Sequence, residues 1–110
     1  MITYGKQFID RRDKKAVLDT LSGSWLTQGP KVKEFEDKIN RKFGSKYCCA
    51  VSNGTAALHL TAIALGWKKG DIILCSAISF VSGANSVIYS GATPDFVDID
   101  KNSYNIDIIK

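Results

Sequence analysis

The 110 residues carry 45% apolar, 24% charged and 10% aromatic side chains, ordinary globular proportions that exclude collagen-like, low-complexity and disordered classes. Fifteen Lys and Arg against eleven Asp and Glu leave a net charge of +4. The excess sits in helical stretches (Arg11, Arg12, Lys14 and Lys15; Lys31, Lys33, Lys38 and Lys42) broken up by Asp13, Asp19, Glu34, Glu36 and Asp37, which is the mixed face of a solvated helix rather than a nucleic-acid patch.

After a short extended start, Asp10 or Asp13 can cap a helix running to about Ser22, with Gly23 as its stop. Ser24 to Gly29 has no helical period and reads as a loop. Pro30 suits the first turn of a second helix, in which Val32, Phe35, Ile39 and Phe43 form one apolar stripe before Gly44 ends it. From Tyr47 the pattern changes. Tyr47 to Val51 is a continuous apolar run of strand length, Ser52-Asn53-Gly54-Thr55 breaks it, and Ala56 to Leu65 is helix-forming, closed by Gly66. Asp71 to Cys75 reads as a second buried strand, Phe80 to Tyr89 as a helix closed by Gly91, and Pro94 to Ile99 as a third strand.

Strand, helix, strand, helix, strand with buried strands predicts βαβ crossovers and a predominantly parallel sheet with flanking helices, an α/β fold. No internal repeat or linker divides it, so one domain is expected. Asn105 to Lys110 resembles a helix start at Asp107 that stops within its first turn. A three-strand parallel sheet also leaves faces uncovered, which such folds normally hide. The expectation is therefore the first part of a larger domain, with no second domain.

Cys48, Cys49 and Cys75 form no Cys-x-x-Cys pair, and the lone His59 is not spaced to join them, so no metal site is expected. They read as small reduced core residues, with Cys48 and Cys49 on opposite faces of their strand. The N-terminus has no apolar signal core, and no apolar run approaches the roughly 20 residues of a membrane helix. A cytoplasmic chain with neither a membrane nor a nucleic-acid partner is expected.

Three segments could carry chemistry. Ser52 to Ala56 lies at the carboxyl end of a strand and the start of a helix, where open α/β sheets bind ligands. Gly54 lets a phosphate approach, free N–H groups and the helix dipole favour it, and Thr55 adds a hydroxyl. A plain helix cap at Ser52 or Asn53 explains the spacing equally well. The segment matches neither the dinucleotide fingerprint nor the ATP P-loop. Phe80, after the second strand, serves either as an aromatic platform for a flat heterocycle or as an ordinary core residue. Ser24 to Gly29, with Trp25, Thr27 and Gln28, suits a sugar or base, and suits an exposed connection just as well.

Taken in order, Leu26-Thr27-Gln28-Gly29-Pro30, Phe35-Glu36, Val51 to Leu60, Ser79-Phe80-Val81 with Ala84-Asn85, and Gly91-Ala92-Thr93-Pro94 with Phe96 to Asp100 resemble the beginning of the DegT-type nucleotide-sugar aminotransferases. These are pyridoxal 5'-phosphate enzymes of fold type I, and the resemblance covers essentially the whole chain. Ile2 to Gln7 and Lys14 to Leu18 are most similar to the branch of the family that serves pseudaminic-acid synthesis.

The resemblance implies the N-terminal part of the large transferase domain over 1–110. Gly54, Thr55 and Ala56 match the segment holding the cofactor phosphate, and Phe80 matches the aromatic stacked on its ring. Tyr4 and the loop Ser24, Trp25, Leu26 and Thr27 match substrate-contacting positions. Asn53 stands where many relatives carry a small residue, which leaves its role open. The implied reaction is ping-pong transamination of a nucleotide-linked 4-keto-6-deoxy sugar, such as a UDP-4-keto-6-deoxy-N-acetylhexosamine, with glutamate as the amino donor and a homodimer at full length. The family's Schiff-base lysine and the carboxylate that pairs with the ring nitrogen fall beyond position 110. None of the twelve lysines present sits in the apolar setting that would lower its pKa. The 110 residues alone are therefore expected to hold no catalytic residue and not to transaminate. The other outcome is a non-catalytic α/β module that binds phosphate esters.

Overall fold

A computed structural model describes residues 5–108. In chain order it holds α1 (Arg11–Leu21), α2 (Pro30–Phe43), α3 (Gly54–Ala64), β1 (Ile72–Ser76), α4 (Ser82–Tyr89) and β2 (Thr93–Val97). They gather into two compact units, Met1–Ala50 and Val51–Lys110. No helix among the described residues is long and apolar enough to cross a membrane.

The first unit is built on helix ends that the sequence encodes directly. The Asp10 carboxylate accepts the backbone N–H groups of Arg12 at 2.6 Å and Asp13 at 3.1 Å. Asp13 in turn accepts the N–H of Asp10 at 2.8 Å, closing a reciprocal cap. The Asp13 N–H and the Arg12 guanidinium hold the Asp10 carboxyl below its usual range. Helix α1 ends at Leu21 with Ser22 as its cap, one residue ahead of Gly23. Pro30 opens α2, and Gly44 closes it in the left-handed region at φ 65°, where only a residue without Cβ sits freely.

On the outer face of α2, Glu34 accepts from Lys31 and from Lys38, each at 2.7 Å, while Lys33 meets Asp37 at 2.6 Å. The two ammonium groups hold Glu34 at about 2, below its ordinary 4.5. The apolar stripe is less covered: Phe35 and Phe43 are 54% and 71% exposed, and Ile39 is half-buried.

In the second unit, β1 and β2 pair in parallel with Ile72 opposite Thr93 and Ser76 opposite Val97. A parallel pair needs a crossover, and α4 supplies it. Helix α4 packs on both strands and α3 packs on α4. The core they enclose is small, formed by Ala62, Val87, Ala92 and Ile99, with Ser82 and Ser86 buried beside them. Ser86 satisfies its hydroxyl on the Gly83 carbonyl at 2.7 Å. Along β1, Ile73 and Cys75 are half-buried, whereas Ile72 and Leu74 are 67% and 62% exposed. One face of the sheet is therefore roofed by helix and the other is open.

Three sequence expectations need correction. Tyr47 to Val51 is not a strand: nothing pairs with it among the described residues. A strand is defined by its ladder, and the Ala50 N–H is instead taken by the Glu36 carboxylate at 2.8 Å. The described sheet thus has two strands rather than three. The cysteines are free, but not core residues: Cys49 is exposed, and Cys48 and Cys75 are half-buried. Partial burial pushes the Cys75 thiol up.

Residues 98–107 form a hairpin, not the approach to a helix. Ile99 and Ile106 bridge antiparallel, and the Asp107 N–H reaches the Asp98 carbonyl at 2.8 Å. Asp100 closes the tip by accepting from Ser103 at 2.8 Å and Asn102 at 3.2 Å, bonds that draw its carboxyl below the usual range. The smaller shifts are that α4 begins at Ser82, after Phe80, and β2 ends at Val97, before Ile99.

The Glu34 pair yields a pH test. A carboxyl whose folded pKa is depressed contributes stability that is present above its unfolded value and lost as pH falls through its folded value. For Glu34 that window runs from 4.5 down to about 2. Thermal melts followed by circular dichroism should fall less steeply across this window in Glu34→Gln than in the parent. Equal slopes in the two proteins would contradict the assignment.

Candidate active site

Helix α3 opens on Gly54, with Asn53 as its cap in extended backbone. The Asn53 side chain accepts the Ala56 N–H at 2.9 Å, and its carbonyl accepts the Ala57 N–H at 3.1 Å. Its amide donates to the Ser52 hydroxyl at 3.3 Å. The sequence left Ser52 and Asn53 as alternative caps, and the structure assigns the role to Asn53. The cap uses the third N–H of the helix and leaves the first two, on Gly54 and Thr55, without a protein acceptor among the described residues. A cap and two open N–H groups therefore coexist at the helix start.

The surroundings fit a phosphate ester. Nothing stands within 4 Å of where a Gly54 Cβ would lie, so an anion can approach the backbone. Thr55 and Ala56 are half-buried, and the Thr55 hydroxyl has no protein partner among the described residues. No acidic residue lies in the first turn of α3 to oppose a negative charge. Two aligned N–H groups, the positive end of the helix and a hydroxyl are the donor set that holds a phosphate monoester.

Phe80 follows β1 at its carboxyl end with 73% of its surface exposed. It is not the ordinary core phenylalanine that spacing alone allowed. Its ring lines an open cavity of about 380 Å³ together with Leu58, Ile73, Cys75, Ala84 and Val87. Gly54, Thr55 and Ala56 are not among the walls of that cavity. The exposed ring is free to stack on a planar ligand.

In the other unit, Trp25 and Leu26 are 62% and 66% exposed, and Ser24 and Thr27 are exposed with them. Ser24 and Trp25 line a shallow cavity of about 190 Å³ with Thr20 and Lys31, while Leu26 and Thr27 lie outside it. Tyr4 lies outside the described residues. Every described lysine is exposed, and Lys31 and Lys33 are pushed up by their carboxylate partners rather than down. Lys110 lies outside the described residues.

Sequence reasoning missed two backbone features of the loop. Gln28 sits in the left-handed region at φ 52°, and Gly29 is packed against Trp25. The only signal for them was the Gly-Pro pair opening α2, which reads as a helix start and hides the second role of Gly29.

An α/β unit with parallel strands, a crossover helix and a further helix whose first N–H groups are open has the α/β fold of the fold-type-I transferases. Of solved structures, Escherichia coli GDP-4-keto-6-deoxy-D-mannose-3-dehydratase with bound hydrated PLP matches 99% of this chain and 30% of its own, at 36% identity and a TM-score of 0.88. The chain belongs to the DegT/DnrJ/EryC1/StrS aminotransferase family, whose profile matches residues 7–110. It is 41% identical to the spore coat polysaccharide biosynthesis protein SpsC of Bacillus subtilis, over 99% of this chain and 28% of that protein. It is 42% identical to the UDP-4-amino-4,6-dideoxy-N-acetyl-beta-L-altrosamine transaminase of Campylobacter jejuni, over 97% of this chain and 28% of that protein. The chain thus spans little more than a quarter of the length of these curated relatives.

The cap makes a measurable contribution. Asn53→Ala should lower the unfolding free energy by about 1 kcal/mol in urea titrations, and Asn53→Asp should restore most of it. An alanine variant as stable as the parent would show that the bond to Ala56 does not hold the helix start.

Proposed function

We propose that residues 1–110 are the N-terminal segment of one large domain of a pyridoxal-phosphate-dependent sugar aminotransferase. The observation that carries this reading is the start of α3: Asn53 caps the helix through Ala56 and leaves the Gly54 and Thr55 N–H groups to an anion, in a chain whose family match runs from residue 7 to 110. In this reading Gly54, Thr55 and Ala56 hold the cofactor phosphate and Phe80 stacks on its ring. Bound there, the cofactor supplies the electron sink that makes amino transfer possible, while the protein supplies orientation and charge. Ser24, Trp25, Leu26, Thr27 and Tyr4 contact the sugar substrate.

The substrate is a nucleotide-linked 4-keto-6-deoxy sugar, with UDP-4-keto-6-deoxy-N-acetylhexosamine the leading candidate, and the product is its 4-amino sugar. Names of similar proteins support that class: one is a transaminase named for a UDP-linked 4-amino-4,6-dideoxy sugar, another a dehydratase named for a GDP-linked 4-keto-6-deoxy sugar. Glutamate is the proposed donor, pseudaminic-acid synthesis the proposed pathway, the cytoplasm the proposed location and a homodimer the proposed full-length state. The open face of the sheet, with Ile72 and Leu74 exposed, is proposed to be covered by further chain of the same domain.

The exposure of every described lysine favours one secondary reading for the 110 residues taken alone: phosphate-ester binding without turnover. Amino transfer requires a nucleophilic amine held at a lowered pKa, and Lys31 and Lys33 are shifted the opposite way.

Pyridoxal phosphate added to the chain should shift the Gly54 and Thr55 amide signals in a proton–nitrogen correlation spectrum, and pyridoxal lacking the phosphate should not. Thr55→Val should weaken the affinity about tenfold, as expected for losing one hydrogen bond to a charged group. Pyridoxal phosphate that leaves both amides unmoved would sink the cradle assignment.

A further inference from the structure

We propose that Gly29 is a positioning residue for the Trp25 loop, setting the backbone that presents Ser24 to Thr27 to the nucleotide sugar; this rests on the substrate-loop reading above. A Cβ at Gly29 would stand 2.9 Å from the Trp25 Cβ and 3.3 Å from the Trp25 carbonyl oxygen. The Trp25 Cβ is fixed to its backbone and cannot swing away, so any side chain at position 29 displaces the loop itself. Among the described residues, no other glycine has a neighbour within 3.0 Å of its would-be Cβ.

The constraint is one of space and not of conformation. Gly29 has φ −81° and ψ −178°, which any residue can adopt. Nor can it yield from the helix side, because its carbonyl accepts the Val32 N–H at 3.1 Å and Pro30 follows it as the first residue of α2. The turn that brings residues 25 and 29 together is made by Gln28, a non-glycine held at φ 52°. Backbone strain of this kind persists where the surroundings over-determine it, and it clusters at ligand-binding segments.

Strain at Gln28 and close packing at Gly29 thus stand side by side. They fix the one stretch of the α1–α2 connection that displays an aromatic ring, and they hold it before any ligand arrives. A loop held in advance binds more tightly because it has less freedom to lose. Gly29 touches neither cofactor nor sugar in this scheme; it acts through Trp25.

The test uses the full 110-residue chain with UDP as the probe. Trp25 and Trp67 are its two tryptophans, so two indole N–H signals report the loop and the second unit separately. In the parent chain UDP should shift the Trp25 signal and leave Trp67 in place. Gly29→Ala should move the Trp25 signal before any ligand is added and weaken UDP binding about tenfold, with pyridoxal phosphate affinity unchanged. Gln28→Gly adds no atom and relieves the left-handed strain, so it should keep or raise the melting temperature while weakening UDP about threefold by loosening the loop. A purely structural role for the turn would not pair a steadier fold with weaker binding.

UDP affinity unchanged in Gly29→Ala overturns the positioning proposal and leaves the substrate loop standing. Should Gly29→Ala unfold, Gln28→Gly decides: weaker UDP binding supports the proposal and unchanged binding overturns it. A parent chain that binds no UDP, or binds it without moving Trp25, overturns the substrate-loop reading and this proposal with it.

Discussion

Parallel strands are normally covered on both faces, and that constraint bears on the whole second unit. Strands β1 and β2 are roofed by α4, with α3 behind it, on the face that carries Ile73 and Cys75. The opposite face presents Ile72 and Leu74 to solvent. Parallel sheets in α/β proteins are covered on both faces, because their crossovers place helices there and their strands are apolar throughout. Four small or medium apolar residues make up the enclosed core, which is little for a unit of this size. Within its own unit, the apolar stripe on α2 is likewise exposed, and Tyr47 to Val51 pairs with no strand among the described residues.

That constraint also sets what the sequence could reveal. Helix ends were legible because their signals are local: the Asp10 and Asp13 carboxylates, Pro30 with Gly44, and Asn53 before Gly54 each act within four residues. The two strands of the parallel pair were legible from short apolar runs bounded by turn residues. The run at Tyr47 to Val51 was likewise short and apolar and failed, because a strand needs a partner that no local pattern supplies. The hairpin at 98–107 was misread for a similar reason. Asp107 looks like a helix cap, but its N–H is bound to the Asp98 carbonyl.

The candidate site divides in the same way. That Gly54 and Thr55 could receive a phosphate was readable, since a helix N-terminus and a small residue suffice for it. That a cap and open N–H groups coexist there was not, because it depends on which N–H the Asn53 side chain takes. Phe80 was placed at the correct end of β1 by its position in the chain, while its exposure could only be seen in three dimensions. Gln28 and Gly29 left almost no trace in the sequence, since a Gly-Pro pair before a helix already has an ordinary explanation. Glu36 belongs here too: its bond to the Ala50 N–H, fourteen residues away, ties α2 to the end of the first unit, and Phe35-Glu36 showed only as part of a motif.

The most direct test of the proposed chemistry is amino transfer by the polypeptide isolated from its native source, with the intact mass read on the same sample. Supplied with glutamate and UDP-4-keto-6-deoxy-N-acetylhexosamine, it should form 2-oxoglutarate and the 4-amino sugar in equal amounts, from a protein heavier than 12.1 kDa that carries pyridoxal phosphate. A product of 12.1 kDa that binds phosphate esters and forms no amino sugar would contradict the aminotransferase reading and leave a binding module in its place.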